Sequence, residues 1–194
     1  MLYNVFLACI PIILIHVAVQ IKPIGIRLFF LLLWLIFLPN TLYLLTDETH
    51  LSDSLANTPT PFVPLTLLFF LLLFILGIIT FILALSPLER FLQKTKSIHT
   101  SAIFLSILLI NILVGFGIIL GRVERANSWD IFLHPLVLVW NIYALLLSPN
   151  LLGASFIWGI SANLLYFSLR NWITKIMWND TIHTRKTKTS KTRR

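Results

Sequence analysis

Residues 38–51 read LPNTLYLLTDETHL. The stretch begins inside an apolar run, is interrupted by Pro39-Asn40, and ends in Asp47, Glu48 and His50. Proline has no N–H to give to the carbonyl four residues back, here Leu35, so a helix passing through Pro39 must bend or unwind. Asn40 carries an amide that can bond a freed backbone group. The reading is of a membrane-crossing helix broken near its end and finished by a polar cluster.

Outward from this stretch the chain is overwhelmingly apolar. Of 194 residues, 58% are hydrophobic and only 11% charged, with mean hydropathy +0.91. A water-soluble domain of this length needs more polar surface. About 20 residues at ~1.5 Å rise cross a ~30 Å hydrocarbon core. Long Leu/Ile/Phe runs without alternation exclude a transmembrane barrel and point to an all-α, multi-pass integral membrane protein.

Six spans are expected, at about 2–19, 28–45, 62–85, 102–120, 131–147 and 151–169, forming a helical domain over 1–178. Pro11 is expected to kink the first. Gly117-xxx-Gly121 and Ser155-xxx-Gly159 are expected to admit close helix neighbours, with Asn111, Asn141 and Asn163 bonding between helices. His16 and His134 read as hydrogen-bonded helix residues. Residues 170–178 suit the membrane interface, with Trp172 and Trp178 as anchors. Residues 179–194 read as a basic disordered tail. The single cysteine, Cys9, cannot make an intrachain disulfide.

The net charge of +8 is largely a property of the C-terminus, where eight of fifteen Lys/Arg follow Leu169. The expected partners are membrane lipids and an anionic substrate; no nucleic acid is expected. With six spans both termini share one face. That face carries Arg122, Arg125 and the tail, against Lys22, Arg27, Arg90, Lys94 and Lys96 on the other. Counting only residues near the spans leaves the two faces almost balanced. The second loop, residues 46–61, has no Lys or Arg and reads as translocated, which puts both termini outside. A re-entrant 131–150 segment removes the conflict with the basic tail.

Two polar clusters carry whatever chemistry the chain has. One is Asp47, Glu48 and His50. The other is Arg122, Glu124, Arg125, Asn127, Ser128, Trp129 and Asp130. Two spans separate them, so they share a membrane face and can meet. Asp47, His50 and Asp130 are the candidate catalytic residues; Asn40, Arg122, Arg125, Asn127, Ser128 and Trp129 are the candidate binding residues. Three readings stand. Salt bridges staple two helix ends together. Asp47, His50, Asp130 and His134 hold a divalent metal. Arg122 and Arg125 grip an anionic headgroup or phosphate while Asp47 or His50 acts as base.

WLIFLPNTLYLLTDETHL followed by GRVERANSWD resembles a family of uncharacterised bacterial integral-membrane proteins, a domain-of-unknown-function family. Its motifs are LPN-x-x-Y-x-x-TD-x-x-HL and GR-x-x-R-x-NSWD with a proline soon after. The matching residues are Leu38, Pro39, Asn40, Tyr43, Thr46, Asp47, His50 and Leu51, then Gly121, Arg122, Arg125, Asn127, Ser128, Trp129, Asp130 and Pro135. The resemblance implies a multi-span protein with both motifs on the extracytoplasmic side; it supplies no activity. The chain departs from it by having PFVPLT where members carry an aromatic-aromatic-Asp segment, and by its basic tail. The leading expectation is recognition or modification of an anionic lipid-linked or envelope substrate. A non-catalytic scaffold and a small transporter are the alternatives.

Overall fold

The structure, a computed structural model, describes residues 2–45, 48–95, 98–123 and 129–191; for residues 2, 48–50, 52, 53, 132 and 177–191 it describes the backbone alone. Among the described residues every regular element is helical: α1 (Leu2–Gln20), α2 (Ile24–Phe37), α3 (Pro39–Tyr43), α4 (Glu48–Asn57), α5 (Val63–Lys94), α6 (Thr100–Val123), α7 (Asp130–Leu133), α8 (Pro135–Leu147) and α9 (Pro149–Lys191). Five segments are long and apolar enough to cross a membrane: α1, α2 with α3, α5, α6 and the first part of α9. The protein is an all-α polytopic bundle.

The break expected at Pro39 is present and is closed locally. Leu38 still donates to the Trp34 carbonyl at 2.9 Å, but Thr41 donates to Leu38 rather than to Phe37. That leaves the Phe37 carbonyl without its usual donor, and the Asn40 side-chain amide supplies one at 3.0 Å. The Thr41 hydroxyl adds a second bond to Leu38 at 2.8 Å. In hydrocarbon an unsatisfied backbone carbonyl costs several kcal/mol, so Asn40 and Thr41, both buried, keep the span intact across its proline. Pro11 in α1 is carried without interruption of the helix. His16 bonds the Ile12 carbonyl at 2.8 Å, as read from the sequence.

Span two runs antiparallel to α5. Arg27 lies 5.0 Å over the Phe91 ring, the Trp34 indole donates to the Ala84 carbonyl at 2.9 Å, and Gly77 packs against Thr41 and Leu45. The Ala84 bond lies beside Pro87, which opens the α5 ladder. The core joins Ile15 of α1, Trp34 and Leu38, Phe81 and Leu85, Ile107 and Ile118, and Tyr166 of α9. Many other large apolar side chains, Leu65, Leu68, Phe69 and Leu72 among them, face outward, where lipid is their solvent.

Between α6 and α9 the helices are antiparallel and close. Phe104 meets Phe167 at 5.0 Å and Phe116 meets Phe156 at 5.5 Å. Between these rings, Asn111 donates to Asn163 at 2.9 Å, and Asn163 donates to the Leu108 and Gly159 carbonyls. A Cβ on Gly115 would collide with the backbone of Ser155 and Gly159. The close contact expected of Ser155-xxx-Gly159 is therefore made, but its partner is Gly115. Gly117 instead faces the Pro39 ring, which a Cβ there would strike.

This pairing decides the path of the chain. Because Ser155 lies level with Gly115, Pro149 starts α9 at the end of the bundle where α6 finishes. The 13 residues of α8 extend only ~20 Å, short of the ~30 Å core. So α8 leaves and re-enters the same end of the bundle, and the chain crosses five times. The expectation that both termini share a face is corrected: α1 begins at one end and the crossing part of α9 finishes at the other, beside Glu89 of α5. The backbone of α9 continues as helix through Lys191.

Cysteines introduced at Thr58 and Ser148 in a Cys9→Ala background are expected to react with an impermeant maleimide from one side of the membrane, and a cysteine at Thr95 from the other. Labelling of Ser148→Cys together with Thr95→Cys would mean that α8 crosses.

Candidate functional site

The end of the bundle shared by the α1 N-terminus, α3, the α6 C-terminus and α7 holds Asn40, Tyr43, Arg122, Trp129 and Asp130 of the residues singled out from sequence. Its anchor is a pair of contacts between the two motif segments. The Tyr43 hydroxyl donates to the Gly117 carbonyl at 3.0 Å, and the Pro39 ring fills the space left by the missing Gly117 side chain. Half-buried Arg122 follows in the last turn of α6. Span two and α6 come together here through Tyr43 and Pro39, as a two-span separation allows.

The individual residues fall as follows. Asn40 is 2% exposed, with its amide directed at Phe37. Arg122 closes α6 as the basic residue of its last turn. Trp129 is half-buried, caps α7, and meets the Tyr3 ring of α1 edge-to-face at 5.8 Å. Asp130 opens α7; its carbonyl accepts the His134 N–H at 2.8 Å, and His134 is the residue from which α8 starts. His50 lies on α4, whose neighbour Leu51 closes a cleft with Leu67 and Phe70 of α5. The His50 side chain, Asp47, Arg125, Asn127 and Ser128 lie outside the described residues. Among the described residues no group of three or more His, Cys, Asp or Glu is placed to hold a metal ion.

Beneath this polar end lies an apolar slot of about 330 Å³ between span two, α6 and the α7–α8 hairpin. Leu35, Pro39 and Tyr43 form one side, Leu113 and Leu120 a second, and Leu138 and Ile142 of α8 the outer wall.

Sequence reasoning missed two contributors. The α1 N-terminus joins the site through Tyr3. At the opposite end of the bundle a buried ion pair holds α5 to α9: Arg170 donates to Glu89, whose second oxygen accepts the Tyr166 hydroxyl, while Gln93 donates at 3.1 Å. Arg170 also lies 5.0 Å over the Phe167 ring. It is therefore a packed bundle residue and not merely the start of an interfacial segment. The signal was available: Glu89 is the sole Asp or Glu between Asp53 and Glu124. It was passed over because α5 continues to Lys94, beyond the expected end at 85.

Every acceptor of Glu89 is engaged, which makes this a structural lock. Glu89→Gln would leave Arg170 without its counter-charge. A thermal melt in detergent is expected to show a loss of about 2–3 kcal/mol, moderated by the partial exposure of Arg170. Replacing both groups, as Glu89→Leu/Arg170→Met, is expected to cost less than the single change.

No curated protein and no solved structure matches the chain. Residues 3–165 match the family described as "Protein of unknown function (DUF1361)", and this integral membrane protein belongs to that family.

Proposed function

We propose that the protein binds or modifies an anionic lipid-linked or envelope substrate at the end of the bundle where α3 and α6 meet, and that this end is extracytoplasmic. The observation that supports the reading is the Tyr43–Gly117 bond, which joins span two to α6 one helical stretch before Arg122. Arg122 grips the anion, Arg125 from the same motif adds a second cation, and Asp47 or His50 stands as the candidate base. Strong anion recognition by guanidinium comes from paired, charge-assisted N–H donors.

Charge supports the orientation. With five crossings, Lys22, Arg27, Arg90, Lys94, Lys96 and the eight basic residues after Leu169 belong to one face. Arg122 and Arg125 belong to the other. The imbalance is thirteen to two, or ten to two if only the tail's first five basic residues are counted. Basic segments stay cytoplasmic, which leaves the motif face outside. In right-side-out vesicles Thr58→Cys is then expected to label with an impermeant reagent before permeabilisation and Thr95→Cys only afterwards; the reverse order overturns the orientation.

Purified wild-type protein is expected to retain anionic phospholipid over zwitterionic phospholipid. Arg122→Ala/Arg125→Ala should lose that preference by about tenfold or more, the equivalent of one or two charge-assisted hydrogen bonds. Equal retention by both proteins would sink the binding reading.

A scaffold reading is favoured by one observation: Asn40 and Tyr43 direct polar atoms to backbone carbonyls of Phe37 and Gly117. On that reading the motif holds span two and α6 together, and Arg122→Gln lowers thermal stability and any activity in step. Loss of activity at unchanged stability favours the binding site.

A further inference from the structure

We propose that the basic continuation of α9, residues 183–194, binds the anionic lipid headgroups of the leaflet that α9 has just crossed. This surface lies at the opposite end of the bundle from the α3–α6 site and does not depend on the reading of that site. Three observations carry it.

The segment can be recognised only by charge. Residues 183–194 read HTRKTKTSKTRR: six of the twelve are Lys or Arg, none is acidic and none is apolar. Asp180 is the sole Asp or Glu after Asp130. A stretch of this kind has no hydrophobic face with which to dock on a protein groove.

The end of the bundle from which it emerges offers it no counter-charge. Lys22, Lys94 and Lys175 are exposed there, and Glu89 is already neutralised by Arg170. The bundle therefore repels the segment, and the phosphates of the leaflet are the nearest anions.

The segment is tethered at headgroup level. Exposed Trp172 and Ile176 suit the membrane interface, and Arg185 follows nine residues later, about 14 Å along a helix. A soluble polyanion must be captured from solution, whereas the leaflet is held at high effective concentration by the chain itself. An upright helix would carry the last basic residues beyond the ~8 Å screening length. Thr181, Thr184, Thr187 and Thr189 have low helix propensity, so the end of α9 can bend toward the leaflet.

The test uses the full chain with Cys9→Ala and Ser190→Cys, a fluorophore at position 190, and vesicles whose headgroups bear a nitroxide that quenches near contact. The vesicles are phosphatidylcholine alone or phosphatidylcholine with phosphatidylglycerol. Quenching is expected to be about twofold or more stronger with phosphatidylglycerol and to fall to the phosphatidylcholine level in ~1 M salt, where the screening length is ~3 Å. Replacing Arg185, Lys186, Lys188, Lys191, Arg193 and Arg194 by Gln, which leaves every bundle residue in place, is expected to abolish the difference. Equal quenching in the two vesicles, or a difference that survives the six substitutions, overturns the proposal. A probe that ignores both vesicles and responds to a nucleic-acid oligomer overturns it in favour of a soluble polyanion. Arg122→Ala/Arg125→Ala is expected to leave the quenching unchanged, so this surface and the α3–α6 site fail separately.

Discussion

Helices in a bilayer gain little from the hydrophobic effect on meeting one another, because lipid tails are as apolar as leucine. They associate through close packing and interhelical hydrogen bonds. Here that constraint is met at one crossing above all. Gly115 lies against the backbone of Ser155 and Gly159, and the Asn111–Asn163 bond is made beside it. A single added methyl at Gly115 would part the helices. This contact makes α9 antiparallel to α6, sends α8 back to its starting end, and gives the chain an odd number of crossings. The unequal charge of the two faces follows from it.

The same helix serves two neighbours. Residues 115 and 117 are about 200° apart around α6, so one glycine faces α9 and the other faces Pro39. This places α6 between the crossing that sets the topology and the contact that builds the candidate site. The break at Pro39 then has a double use. It exposes a carbonyl that Asn40 must satisfy, and it offers a flat ring to a helix able to come close.

Much of this was legible in the residues. The apolar runs marked the helices, Pro39 marked the break, and Asn111 and Asn163 marked a helix pair, because each rests on local chemistry or on the cost of a bare polar group in lipid. The pairing of the two motif segments followed from counting crossings between them. What escaped depended on phase and length. Which of Gly115, Gly117 and Gly121 approaches α9 is set by rotation about α6, and no pattern in the helix alone reveals it. Glu89 was hidden because α5 runs nine residues past its expected end. The count of crossings turned on the 131–147 stretch, which is apolar enough to span and too short to do so; the pairing of α9 with α6 decides which property prevails.

The Glu89–Arg170 pair bears on how the bundle is made. The two residues are 81 positions apart, and Arg170 lies at the far end of the last crossing helix. When α5 is made, the Glu89 carboxylate has the Gln93 amide of its own helix as a hydrogen-bond donor and no counter-charge from α9. The guanidinium arrives after three further apolar helices have been made. A carboxylate held away from water is costly without that partner. The final crossing therefore brings the counter-charge that allows this end of α5 to be buried in the bundle.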